Sequence, residues 1–170
     1  YGSYALAQKE PTRNDYEDNI YSTLPKSEKL NDFELGYKYL SSTFSAGINL
    51  YYMLYKDQFV LTGQQNAIGE MIAKNIGDSY RSGIELTAAW KPCQYFQWDG
   101  NATWSRNRSK NLKFLLDDTG EYYNVKSAPL SFSPNLIVKS VIKGKYKGFT
   151  ASLQSQYVSE QYMTTTGLRS

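Results

Sequence analysis

The sequence predicts an all-β chain, an antiparallel up-and-down meander that forms part of a large transmembrane β-barrel. Three observations predict it. Segment after segment alternates between an apolar and a polar face with the period of two that marks a strand. Several of these segments keep alternating for roughly 9–12 residues, near the ~9–11 that a tilted membrane strand needs and beyond the ~5–6 usual in soluble sheets. Short and long connections then follow one another strictly, which suits a barrel with tight turns at one rim and long loops at the other.

The elements follow in order. Tyr1 to Gln8 is strand-like, with its facing open. Phe33, Leu35, Tyr37 and Tyr39 alternate with Asp32, Glu34, Gly36 and Lys38. Ala46, Ile48, Leu50, Tyr52 and Leu54 alternate with Gly47, Asn49, Tyr51, Met53 and Tyr55. Ser82, Ile84, Leu86, Ala88 and Trp90 alternate with Arg81, Gly83, Glu85 and Thr87. Phe96, Trp98, Ala102 and Trp104 alternate with Tyr95, Gln97, Asp99, Asn101 and Thr103. The stretch from Asn135 to Lys143 begins apolar on both parities. In the last segment Phe149, Ala151, Leu153, Ser155 and Tyr157 alternate with Thr150, Ser152, Gln154 and Gln156. About seven strands and no helix are expected, with residues 1–170 as one part of a single barrel domain.

The connections at Leu40 to Thr43, Lys91 to Gln94 and Lys143 to Gly148 are short. Between them come long polar segments at Lys9 to Glu28, Asp57 to Asp78 and Asn107 to Phe132. Within the second, Glu70 to Ile76 is expected to extend the ladder beyond the membrane.

The two faces differ chemically. An Arg or Lys on a lipid face near mid-bilayer costs roughly 2–4 kcal/mol. The apolar parities carry no charge until the strand ends, at Lys56 and Arg106. Leu35, Leu50, Ile84, Leu86, Trp98, Phe149 and Leu153 are therefore expected to face lipid. Glu34, Lys38, Arg81, Glu85, Asp99, Gln154 and Gln156 are expected to face the lumen. Sixteen Tyr, seven Phe and three Trp make up 15% of the chain, and a tyrosine's apolar ring with a polar tip suits a wet boundary. Tyr39, Tyr52, Trp90, Phe96, Trp104 and Tyr157 gather toward strand ends, where interfacial girdles sit. The alternative for the same parity is a soluble β-sandwich that binds carbohydrate through exposed Tyr and Trp.

Composition narrows function. A net charge of +3 without a basic run gives nucleic-acid binding little support. No apolar run approaches the ~18–20 residues of a membrane helix. One cysteine, Cys93, and no histidine argue against zinc sites, Ser-His-Asp triads and Cys-His dyads within these residues. No cofactor and no catalytic residue is expected. Carboxylates such as Glu70 and Asp78 lack a spacing that implies a reaction. Asp117, Asp118 and Glu121 lack the regular oxygen spacing of a calcium loop. The glycosylation triplets at Asn101 and Asn107 are set aside, the first because it lies within a strand pattern.

Ala7-Gln8-Lys9-Glu10-Pro11-Thr12-Arg13-Asn14-Asp15-Tyr16, followed by Pro25, Glu28, Leu30 and Glu34-Leu35-Gly36-Tyr37, resembles the late barrel strands of TonB-dependent outer-membrane receptors. The likeness continues through Asn49 to Gln58 and Asn75 to Leu86, in a style similar to receptors of Bacteroidetes-type bacteria. The resemblance implies a bacterial outer-membrane location and a barrel closed by an N-terminal plug. It implies uptake of a scarce nutrient (a ferric siderophore, haem, cobalamin or a glycan) energised by the TonB complex. Plug, TonB box and final strands are not among these residues, so an internal, C-terminal-half piece is expected, with TonB contact made elsewhere. Arg13 and Asp15 are candidates either for fixing the start of an extracellular loop or for touching ligand. Tyr122 and Tyr123 are candidates for stacking on a sugar or aromatic ligand. Outer-membrane lipid is the other implied partner.

Overall fold

The computed structural model describes residues 1–17, 24–66, 68–115 and 122–163. Ten strands and one short helix run in the order β1 (Gly2–Lys9), α1 (Arg13–Glu17), β2 (Glu28–Leu40), β3 (Phe44–Lys56), β4 (Phe59–Gln65), β5 (Met71–Asn75), β6 (Ser79–Cys93), β7 (Phe96–Leu115), β8 (Tyr122–Pro129), β9 (Leu136–Tyr146) and β10 (Phe149–Val158). One sheet follows the path β1-β2-β3-β6-β7-β9-β10, every neighbouring pair antiparallel, with β8 attached to β7. β4 and β5 form a separate hairpin. The path is open, with β1 and β10 at its edges.

The short turns close the end where β2 meets β3, β6 meets β7 and β9 meets β10. At the last, Lys147 (φ 44°) and Gly148 (φ 85°) both adopt left-handed backbone, as a two-residue type I′ hairpin turn requires. At the other end lie the long connections. No helix among the described residues is long and apolar enough to cross a membrane, which says nothing of strands.

Three sequence expectations change. Met71–Asn75 pairs with β4 instead of extending the main ladder. β7 does not stop near Arg106 but runs 20 residues, because its outer half pairs with β8 while its inner half pairs with β9. Arg13–Glu17 is helical: Thr12 Oγ1 and the Thr12 amide both donate to Asp15 Oδ2 at 2.7 Å, which caps a single turn.

Register holds the faces in line. Tyr37, Ile48, Leu86, Ala102, Val138 and Tyr157 stand opposite one another in sequence across six strands. Phe44, Trp90, Trp98, Ile142 and Leu153 form a second such row. Directly opposed residues share a face, so one face is apolar throughout the span. That face stands open: Leu35 is 61% exposed, Leu153 68% and Phe149 82%. No second sheet of matching size covers it, which removes the sandwich alternative. The buried apolar residues among those described are Ile72, Ile76, Ala128 and Leu130. The last three form a cluster with Val60 and Val125 that belongs to the loop end.

Aromatic rings lie across glycines and help to fix strand positions. Tyr1 covers Gly36 and Tyr51 covers Gly83 on the polar face. Across the apolar face, Trp98 passes over Gly100 to donate its indole N–H to Ser140 at 3.0 Å. A Cβ at Gly83 would stand 2.5 Å from the Tyr51 hydroxyl and 2.7 Å from the Trp104 carbonyl oxygen. Moving the ring would therefore not relieve the backbone contact. Gly83→Ala should cost about 1–3 kcal/mol in urea unfolding of the full-length protein. Gly144→Ala, where a Cβ meets nothing within 4 Å, should stay within about 0.5 kcal/mol of wild type.

Candidate functional site

The chemistry gathers on the polar face and at the loop-bearing end above it. All seven residues expected in the lumen, Glu34, Lys38, Arg81, Glu85, Asp99, Gln154 and Gln156, lie on the face opposite the apolar rows. Glu34 is opposite Tyr51 and Tyr51 opposite Gly83, two residues from both Arg81 and Glu85. Gln154 is opposite Val141 and Val141 opposite Asp99; Gln156 is opposite Lys139. Leu35, Leu50, Ile84, Leu86, Trp98, Phe149 and Leu153 share the apolar face.

Charge on the polar face is sorted along the strands. Glu28, Asp32, Glu34 and Glu85 lie toward the loops, with Arg81 among them. Lys38, Lys139, Lys143 and Lys145 lie toward the short turns, with Asp99. Such a sorted wall in a confined space can focus a field on a charged solute.

Asp32, Met53, Arg81 and Asn107 make one cross-strand row. The Arg81 guanidinium sits 5.3 Å from the Tyr55 ring centroid, a cation–π distance. Arg81 Nε and Asp32 Oδ1 are shielded from solvent and make no hydrogen bond. A buried polar atom left this way costs about 1–3 kcal/mol. This row is thus the part of the described wall with capacity for a further polar contact.

The loop end is tied by side chains that the sequence reading did not single out. Asn75 Oδ1 accepts from the Lys26 amide at 2.8 Å, and its Nδ2 donates to Lys26 O at 2.9 Å and Asp57 O at 2.6 Å. Glu28 Oε2 accepts from the Phe59 amide at 2.7 Å. Ser79 donates to Gln58 in a buried bond. These contacts fasten the first long connection and the β4–β5 hairpin to the barrel wall. A lone Asn pairing 49 residues away leaves no periodic signal. Burial in that hairpin lowers the Lys74 pKa from the usual lysine range.

Arg13 and Asp15 both lie on α1. Arg13 Nε is 2.6 Å from Glu17 Oε1, one helical turn along, and Asp15 serves the cap with Thr12. Tyr122 and Tyr123 open β8, opposite Leu115 and Phe114. The two pairs sit on different connections. Asp117, Asp118 and Glu121 fall outside the described residues.

A single-layer antiparallel wall with long strands, one apolar face, one polar face and loops gathered at one end defines a segment of a transmembrane β-barrel. The chain belongs to the family described as TonB dependent receptor-like, beta-barrel, which it matches over residues 1–168. Among solved structures it is similar to a copper transporter, OprC, with a TM-score of 0.68 and 14% identity over 96% of this chain and 24% of that one. It is similar to the ferric yersiniabactin uptake receptor FyuA from Yersinia pestis, at 0.65 and 19% over 95% and 23%. The siderophore receptor PirA from Acinetobacter baumannii gives 0.59 and 18% over 94% and 27%. At these identities the likeness shows the fold, and the chain spans about a quarter of the length of each. No curated protein matches the chain.

One tie at the loop base is sensitive to pH. Ser27 and Gln8 both donate to the Glu10 carboxylate. The Ser27 bond first, then the Gln8 bond, lowers its pKa from the usual carboxylate value. A carboxylate held low in the fold contributes stability above its unfolded pKa and loses it as pH falls through the lower, folded one. Amide exchange near residues 24–29 should therefore quicken as acid approaches that lower pKa. Glu10→Gln should remove this step in the exchange profile.

Proposed function

We propose that this chain forms part of the wall of an outer-membrane receptor that takes up a scarce nutrient with energy from the TonB complex. The observation that carries the reading is the register-locked apolar face, which spans the sheet and finds no cover within the described residues. Lipid supplies that cover. On β3 the apolar positions run from Phe44 to Leu54, about 33 Å along the strand at ~3.3 Å per residue. At a tilt of 35–45° this rises about 25 Å, the height of an outer-membrane apolar band.

On this reading the polar face lines the lumen, residues 1–170 belong to one barrel domain, and the long connections are extracellular. Family membership supports the receptor class and the outer-membrane setting. OprC is described as a copper transporter, and FyuA and PirA as siderophore receptors; a metal or a metal chelate is accordingly the solute class to test first. Asp32 and Arg81, with their uncommitted polar atoms, are the wall residues proposed to contact a polar solute or another segment of the full-length chain. Arg13, Asp15, Tyr122 and Tyr123 are the loop residues to vary. The Thr12–Asp15 cap favours a structural role for Asp15.

Arginine substitution tests the facing. In the full-length protein, Leu86→Arg or Leu153→Arg should block assembly, since each places a charge costing roughly 2–4 kcal/mol against lipid. Thr87→Arg and Gln154→Arg should assemble as wild type does. The readout is the heat-modifiable band in outer-membrane fractions. Equal tolerance at both parities would remove the lipid-facing assignment.

A further inference from the structure

The outward face changes character at the loop end. Its apolar rows give way to Lys29, Lys56, Arg106, Arg108 and Lys110, all on the parity that is apolar lower down. Lys29 stands directly opposite Lys56. Like charges in that position repel. Arg106 lies opposite Ser82 and Arg108 opposite Tyr80. Lys110 Nζ sits 5.6 Å from the Tyr80 ring centroid, and its amide donates to Asp78 O at 2.7 Å. Glu10 and Asp78 are the acids near this belt, and the five bases outnumber them. None of the five comes within ion-pairing distance of a carboxylate among the described residues.

Just below Lys29 and Lys56 the surface is apolar and aromatic. Tyr4 stacks on Phe33 at 4.7 Å, and Tyr52 lies 6.2 Å from Tyr80. Tyr4, Phe33, Leu35, Leu50 and Tyr52 line much of an open groove there. Cations above an aromatic belt and an apolar groove match one kind of molecule, whose anionic head lies at the interface and whose acyl chains lie below it. Simple snorkelling of lysines to water would explain single residues at a boundary. It does not explain two lysines set face to face without an acid between them.

We propose that this outward surface is a binding site for a phosphate-bearing membrane lipid, its head group bridging Lys29 and Lys56 and its acyl chains lying along the groove below. Arg106, Arg108 and Lys110 extend the cationic belt around the same rim. The proposal rests on the apolar face being the membrane face.

Native mass spectrometry of the full-length protein, purified in non-ionic detergent, tests the site. The probes are phosphatidic acid and phosphatidylcholine with identical acyl chains. Wild type should retain phosphatidic acid preferentially. Lys29→Ser combined with Lys56→Ser should weaken that retention about tenfold or more, the scale expected of two lysines beside an anionic lipid. Lys143→Ser with Lys145→Ser, on the polar face, should retain it as wild type does. Equal retention of the two lipids by wild type would overturn the site. So would undiminished retention in the Lys29/Lys56 variant, or an equal loss in the Lys143/Lys145 control. Displacement by millimolar inorganic phosphate alone would reduce the site to one for free phosphate and would also overturn the lipid proposal. Entry of wild type into membranes is read separately. If it fails, the membrane-face reading falls and takes this site with it. If it succeeds while lipid preference is unaltered in the double variant, only the site falls.

Discussion

Everything in this chain depends on cross-strand register. Side chains alternate with a period of two, so a slip of one residue between neighbouring strands would exchange the faces. Lys38, Glu85 and Asp99 would then stand where Tyr39, Leu86 and Trp98 now stand. Within a bilayer such an exchange is costly, because no water reaches a misplaced charge and every backbone amide must find its partner in the ladder. Several devices hold the register. The type I′ turn at Lys147-Gly148 fixes β9 against β10. Tyr51 over Gly83 and Trp98 over Gly100 lock adjacent strands by shape. The bond from Trp98 to Ser140 ties β7 to β9.

Membrane strands are legible in sequence because lipid and polar lumen impose opposite demands on alternate residues. Phe33 to Tyr39 and Ala46 to Leu54 could be read by parity alone, and the path through the main sheet follows them. Where lipid no longer acts, the signal fades. Charges at Arg106, Arg108 and Lys110 end the apolar pattern, yet β7 continues, since hydrogen bonding to β8 needs no apolar face. Phe59, Val60 and Leu61 are apolar on both parities, which obscured the β4–β5 hairpin. The single turn at Arg13–Glu17 depends on Thr12 and Asp15, a local capping contact and not a periodicity. Asn75 was invisible for a related reason: its partners at Lys26 and Asp57 meet it only after folding.

The loop end joins two chemical tasks in one rim. Inward, the row of Asp32 and Arg81 retains polar capacity beneath loops tied down by Asn75, Glu28 and Gln58. Outward, the basic belt meets the boundary of the apolar band. One strand serves both: β2 carries Asp32 inward and Lys29 outward, three residues apart and on opposite faces. The receptor reading and the lipid site therefore share one geometric foundation.

The most direct measurement is spin-label accessibility along β10 of the full-length protein in a bilayer. Cys93 is first replaced by Ser, and single cysteines are then labelled at each position from 149 to 157. The account predicts alternation with a period of two. Labels at Phe149, Ala151, Leu153, Ser155 and Tyr157 should be relaxed by oxygen dissolved in lipid. Labels at Thr150, Ser152, Gln154 and Gln156 should not share that exposure. A flat profile, or one with the opposite phase, would contradict the membrane face itself.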